Sequence, residues 1–404
     1  MTLAIPQPPA ACPAKLRDKG PTTPLRLALY GLAAANFAVG TGALMLSGLV
    51  AEMAADLRVS EALTGQLITV YALVYAIAAP LMSVWTARFD KRRVLVTASL
   101  GLLIANAAAA LAPNFEMLAL ARVAAALSAA AITPVAAAAV TAIAPPERLG
   151  AALGLVFGGM AVATAVGVPL GALIGTSLGW RSAFVMVAGL AAASTLILAL
   201  ALPRTLHGAP RTLADLTALL RDRPAMIAVS VTALVMTAQF IPFSFISVQF
   251  AQAGFNEPSA LFLLLLSFGA ASVVGNHVCG ALSDRFTPMR VLTGVVLALA
   301  PALAAVSLIG LSFWLALAIM AVWGFAGVGF NAPQQARLSR LRPEQAAGLL
   351  ALNASAIYLG TMLGAALGGA LMLGLSAAAL PWGGAIIAAL AAATLYASRS
   401  GDEG

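Results

Sequence analysis

Arg122 is the one formal charge that falls deep inside an apolar run of this chain. By helical rise it lies about 10 Å beyond Phe115, where that run begins. An unpaired charge at such a depth in a bilayer would cost roughly 2.5–3.5 kcal/mol or more, so Arg122 must face a partner or a cavity, or snorkel to the nearer interface. Proton exchange normally needs a carboxylate or histidine that can be desolvated and discharged. No Asp or Glu lies at the middle of a run, and Glu52, Asp56 and Asp284 each sit at an end. His277 is the remaining titratable group inside a run, readable as a packed histidine or as a proton carrier. Amides and rings also survive within the runs: Asn36, Gln66, Tyr71, Tyr75, Gln239, Phe240, Phe243, Asn331, Gln334, Asn353 and Tyr358. Together they could line a pocket for an uncharged or amphipathic small molecule, and any single one could instead bond one helix to another.

Covalent and metal chemistry is not expected. The chain has no HExxH, no GxSxG elbow, no paired carboxylates inside a run and no GxxxxGK[ST] phosphate loop, so neither an intramembrane hydrolase nor an ATP-driven pump has its machinery here. Cys12 and Cys279 sit in a tail and in a run, and neither they nor the two histidines, His207 and His277, make a metal site. No enzyme activity, cofactor or metal is anticipated.

The elements that would position these groups follow from composition. Hydrophobic residues make up 62% of the 404, charged residues 9%, and the mean hydropathy is +0.99, which excludes an ordinary water-soluble domain. Apolar runs of this length must be helices of about 20 residues, because lipid offers backbone groups no other partner. Polar breaks divide the chain into spans near 26–51, 62–86, 93–112, 115–144, 148–177, 181–203, 225–250, 258–283, 290–309, 312–337, 345–375 and 379–398. The expected fold is an all-α membrane protein of 12 helices in two six-helix bundles, 25–203 and 225–398, joined by a polar linker at 204–224. Residues 1–24, rich in proline, and 399–404 read as tails.

Two segments occur twice at an offset of 197 residues. Arg88-Phe89 with Arg93-Val94-Leu95 returns as Arg285-Phe286 with Arg290-Val291-Leu292, and Thr164, Gly167, Leu170 and Gly171 return as Thr361, Gly364, Leu367 and Gly368. Two related halves of this composition point to a transporter that alternates a central site between two faces. Nineteen of the 22 Lys and Arg fall on one side, and Arg58, Arg181 and Arg122 are the others. The positive-inside rule puts both tails and the linker in the cytoplasm. The net charge of +8 thus reports topology and contact with anionic membrane lipid, not nucleic-acid binding.

Gly280-Ala281-Leu282-Ser283-Asp284-Arg285 closes the eighth span, and this G-x-L-x-D-R pattern resembles the signature of the major facilitator superfamily. The first copy departs from it, with Ser83, Ala87 and Asp90 where Gly, Asp and Gly would stand, while Arg88, Lys91, Arg92 and Arg93 keep the basic end. A plainer reading of Lys91 and Arg92 is that they anchor the loop to lipid headgroups. In the fifth span, Gly158-Gly159 and Gly167-Val168-Pro169-Leu170-Gly171, then Gly175, form a glycine stripe broken by a proline. It resembles the antiporter motif of that superfamily's exporters, although such a stripe also serves plain helix packing. Asn331, Pro333, Gln334, Asn353, Tyr358 and Gly360 resemble the tenth and eleventh helices of its arabinose-efflux-permease-like branch.

The resemblance implies a drug or sugar exporter of a bacterial inner membrane, monomeric, working by rocker-switch proton antiport. It gives Arg122 a part in proton coupling or in holding an anionic group, and Arg88, Lys91, Arg92, Asp284 and Arg285 a part in gating. Related families often carry an acidic residue after a Gly-Thr pair in the first span, whereas here Gly40-Thr41 is followed by Gly42. An uptake symporter or uniporter and a non-transporting membrane sensor are the alternatives, and the short linker leaves little room for a sensor's output domain.

Overall fold

A computed structural model describes residues 23–145, 148–203, 206 and 220–398. The two tails, Cys12, His207 and most of the linker lie outside them. Among the described residues the chain is helical throughout, with no strand, and 12 helices are long and apolar enough to cross a membrane. They are α1 (Leu25–Gly48), α2 (Glu61–Arg88), α3 (Lys91–Ala110), α4 (Phe115–Ile143), α5 (Leu149–Leu178) and α6 (Trp180–Ala201) in the first half. The second half holds α7 (Arg223–Phe243), α8 (Pro258–Arg285), α9 (Pro288–Leu311), α10 (Phe313–Leu341), α11 (Gly348–Gly374) and α12 (Ala377–Ala397).

The first and seventh spans do not run straight to 51 and 250 as hydropathy suggests. Each breaks short of that end and resumes as a short helix, Val50–Leu57 after α1 and Ile246–Gln252 after α7. The breaks themselves fall among apolar residues, around Leu49 and Phe245, so a hydropathy window reads through them. Around the second break Pro242 interrupts the backbone ladder, and the Gln249 amide donates to the Pro242 carbonyl at 2.7 Å, satisfying an oxygen near the break.

The glycine stripes are packing faces within each half. Lipid gives helices no hydrophobic reason to associate, so close van der Waals approach must do it, and small residues permit that. In the first half Gly159, Gly167 and Gly171 of α5 lie against Ala33, Thr41 and Met45 of α1, and Gly175 against Leu49 just beyond it. In the second half Gly360, Gly364 and Gly368 of α11 lie against α7 at Ala233, Thr237 and Ile241. The helical ladder of α5 is interrupted by a π turn at Ala163–Gly167, one residue ahead of Pro169. Proline cannot donate to the carbonyl one turn back, and the widened turn accommodates that gap.

The halves share a core at the end away from the chain termini, and α2 packs along α11 as well. At that end Met45, Leu46 and Leu49 pack with Ile241, Phe245, Val248 and Ala365, and the Ala51 N–H donates to Ser247 Oγ at 3.4 Å. At mid-height Gly269 of α8 presses on the backbone of Thr164 and Ala165. Helix α8 leans on α5 from there outward and barely touches Leu149–Val162. Gly154 and Gly158 accordingly face open space, with nothing within 4 Å of where a Cβ would stand. On the α5–α8 side the gap between the halves therefore widens toward the terminus end.

Candidate functional site

Helix α4 carries Arg122 into the middle of the first half, where it is 1% exposed. Its Nη1 donates to the Gly42 carbonyl of α1 at 2.7 Å, and its guanidinium lies 4.3 Å from the centre of the Tyr71 ring on α2. The arginine thus faces inward rather than snorkelling. A carbonyl dipole and a ring quadrupole offset part of its desolvation, and such a cation–π contact contributes about 2 kcal/mol when dry. The partner that Gly42 offers is its backbone oxygen, two residues after Gly40. Arg122 Nε and Nη2, Tyr71 Oη, Asn36 Oδ1 and Asn106 Oδ1 make no hydrogen bond among the described residues. Asn106 of α3 lies against Gly42, so a third helix contributes to this polar centre. Sequence reasoning missed Asn106 because one asparagine in an alanine-rich run carries no spacing signal.

Tyr71 begins a file of rings that crosses between the halves. Tyr71 and Tyr75 stack with centroids 6.5 Å apart, and Tyr75 stacks on Tyr358 of α11 at 3.6 Å. These three residues are brought together as one aromatic strip beside Arg122. The other predicted pocket residues divide. Gln239 donates to the Gly327 carbonyl at 2.8 Å, Gln334 to the Ala228 carbonyl at 2.7 Å, and Asn353 accepts from Thr232 at 2.6 Å. Those three amides tie α7 to α10 and α11 inside the second half. Phe243 packs with Phe268 and Trp323 in its core, with Phe240 on its other side. Asn36 bonds to the Leu32 carbonyl of its own helix. Gln66 bonds to the Ala62 carbonyl at the closed end, beside Gly369, and Asn331 is partly buried in α10.

The α2–α3 loop is built differently from its copy between α8 and α9. Lys91 is buried and its Nζ donates to the carbonyls of Thr86 and Ala87 at 3.0 and 2.9 Å, capping the end of α2. Arg92 reaches the Ala199 carbonyl at the end of α6. Both bond to backbone within the first half. Asp90 caps α3 through the Arg93 N–H at 2.9 Å and also accepts from the Leu206 N–H at 2.6 Å, while the Lys91 N–H donates to the Leu206 carbonyl at 2.9 Å. A loop that lacks the aspartate at 87 thereby clamps the start of the linker. Arg88 lies over the rings of Trp85 and Phe89, and Arg285 over Phe286. Asp284 is exposed at the end of α8, and His277 is exposed on the same helix.

At the closed end Asp56 accepts from Arg181 at 2.6 Å and from the Trp180 indole at 2.9 Å, which hold its carboxyl below the usual range. Glu52 has no such partner among the described residues. It stands one turn beyond Gly48, which abuts Ala172 of α5 and Leu265 of α8, and burial raises its carboxyl to about 7.

The arrangement has counterparts. The profile described as Major Facilitator Superfamily matches residues 32–350. An uncharacterized MFS-type transporter of Bacillus subtilis is 30% identical over 376 residues, 92% of this chain and 96% of its own. A chloramphenicol efflux pump of Mycobacterium tuberculosis is 32% identical over 362 residues, 87% of each chain. The fold matches a bacterial homologue of the human lysosomal transporter Spinster, solved inward-facing and unoccupied, with a TM-score of 0.77 and 18% identity over 95% of this chain and 97% of that one. With two glycine-packed six-helix halves sharing a core at one end, and relatives aligned over nearly their whole length, the chain is a multi-pass transporter that belongs to the Major Facilitator Superfamily.

Proposed function

We propose that this transporter exports a small uncharged or amphipathic molecule of the drug or sugar class from the cytoplasm of a bacterial cell, by rocker-switch alternating access coupled to protons. The observation that carries the reading is the strip Tyr71–Tyr75–Tyr358, which spans the two halves beside the buried Arg122. Ring faces suit an aromatic or sugar-like ligand, and a guanidinium with two unbonded nitrogens suits a hydroxyl, carbonyl or nitro oxygen. Efflux relatives support the outward direction. In this reading both termini are cytoplasmic, the cleft opens inward, and the Asp284–Arg285 loop serves as the cytoplasmic latch, with Gly167, Pro169 and Gly171 holding a bend in α5. A uniporter is the second reading, favoured by the lack of any Asp or Glu at mid-span.

Everted vesicles energised to an acid interior, followed with a pH-sensitive dye during addition of sugars, nucleosides, amino acids and antibiotics, test the proposal. Discharge of the gradient by one compound, only when the protein is present, is the expected result. Passage of labelled compound without any proton movement would make the protein a uniporter.

A further inference from the structure

Two grooves at the terminus end of the bundle are copies of one another. The first, of about 460 Å³, is lined by Trp85, Phe89, Arg93, Val94, Thr97 and Ala98 together with residues of α4. The second, of about 420 Å³, is lined by Leu282, Phe286, Arg290, Val291, Gly294 and Val295 together with residues of α10. Position by position these six pairs are related by the 197-residue offset of the sequence repeat. Phe89, Arg93 and Val94, from the segments whose recurrence marks the duplication, thus recur as Phe286, Arg290 and Val291 in the walls of a groove.

Each groove has apolar walls and a basic mouth. Trp85 and Phe89 are 54% and 41% exposed, and Phe286 is 51% exposed, so large rings stand unburied at the edge of each. Arg93 and Arg290 are exposed, and neither guanidinium has a hydrogen bond or ion pair among the described residues. The other basic residues nearby are already engaged: Lys91 caps α2 and Arg92 holds α6. Arg88 and Arg285 lie over the rings at the two mouths and add a second positive charge to each. Asp90 also lines the first groove, but its oxygens accept from two backbone amides; Asp284 stands near the second without lining it.

We infer that the grooves are a symmetric pair of binding sites for anionic phospholipid of the leaflet at the terminus end, with an acyl chain along the apolar walls and the phosphate at Arg93 or Arg290. The charge complementarity fits this occupant, because a basic residue at a cytoplasmic interface attracts acidic headgroups, whereas a zwitterionic headgroup gives little net attraction. Assigning that leaflet to the cytoplasm rests on the orientation proposed above. The sites themselves do not. The second groove, which no carboxylate lines, should bind the more tightly.

Native mass spectrometry of the purified full-length protein, titrated with phosphatidylglycerol and separately with phosphatidylcholine of the same acyl chains, tests this. Two phosphatidylglycerol molecules should be retained in preference to phosphatidylcholine. Arg93→Gln and Arg290→Gln should each weaken one of the two by about five-fold, and Arg93→Lys should retain it. Gly294 faces open space, so Gly294→Leu should fill the second groove and remove one adduct without unfolding the protein. Equal retention of phosphatidylcholine, or two adducts persisting in the Arg93→Gln/Arg290→Gln protein, would overturn the inference. The adduct count needs neither substrate nor orientation, so it stands or falls separately from the exporter reading.

Discussion

Arg122 can be tested against its two contacts separately. In Arg122→Ala both the bond to Gly42 and the stack on Tyr71 are lost, and coupled flux should fall at least about ten-fold with the protein still in the membrane. Arg122→Lys should not restore it, because an ammonium cannot present a planar face to the ring while donating sideways. Flux by both variants at the wild-type level would reduce Arg122 to a packing residue. Glu52 yields a prediction about pH. Its carboxyl is raised to about 7 where the halves meet, so the closed arrangement prefers the protonated form. That penalty is absent below the ordinary carboxylate range near 4.5 and grows until pH passes about 7. Burial is the cause of that rise; Asp56, on the same short helix, is bonded to Arg181, Arg58 follows that helix, Glu61 opens α2, and Ile246–Gln252 carries no charge. Spin-label distances across this end should lengthen as pH rises from 6 to 8 in the wild type and stay constant in Glu52→Gln.

Helix packing puts Gly167 against Thr41, so Gly167→Leu should drive α5 away from α1. A cost of about 1–3 kcal/mol is expected, read as a lower thermal midpoint in detergent; an unchanged midpoint would mean that α1 yields freely. At this scale the sequence was a good guide to some features and blind to others. The stripe on α5 and its copy on α11 were legible because small residues at fixed spacing leave a pattern. The breaks after α1 and α7 were not, since a hinge among apolar residues changes no hydropathy. The amides of Gln239, Gln334 and Asn353 were ambiguous for a different reason. A costly polar group in a span signals that a partner exists and not whether that partner is a ligand or another helix. Asp90 was seen only as a departure from a pattern, because its partner Leu206 is 116 residues away and contributes a backbone amide that no side-chain motif records.

At the scale of the molecule, the two halves are joined at one end by a shared core and by the bond from Ala51 to Ser247. The alternating access proposed above requires that this seam open. With Cys12 and Cys279 replaced, a disulfide between Ala51→Cys and Ser247→Cys should hold it shut, abolish transport and release it on reduction. Transport that continues in the oxidised protein would show that the seam stays closed throughout the cycle. The duplication was legible from two recurring segments, but the closed end was not, because two halves that can be packed in more than one arrangement share one sequence.

The clamp on Leu206 bears on how this chain could be divided. Since the α2–α3 loop holds that residue by two hydrogen bonds, residue 206 belongs mechanically to the first half, and the seam between two separable pieces falls after it. A gene split at that point, yielding 1–206 and 207–404, should give fragments that reassemble when expressed together and restore flux. A split before Lys91 would cut through the first half and should restore none. Asp90→Ala in the first fragment would then weaken only the hold on its own final residues, leaving assembly to the seam and the aromatic strip.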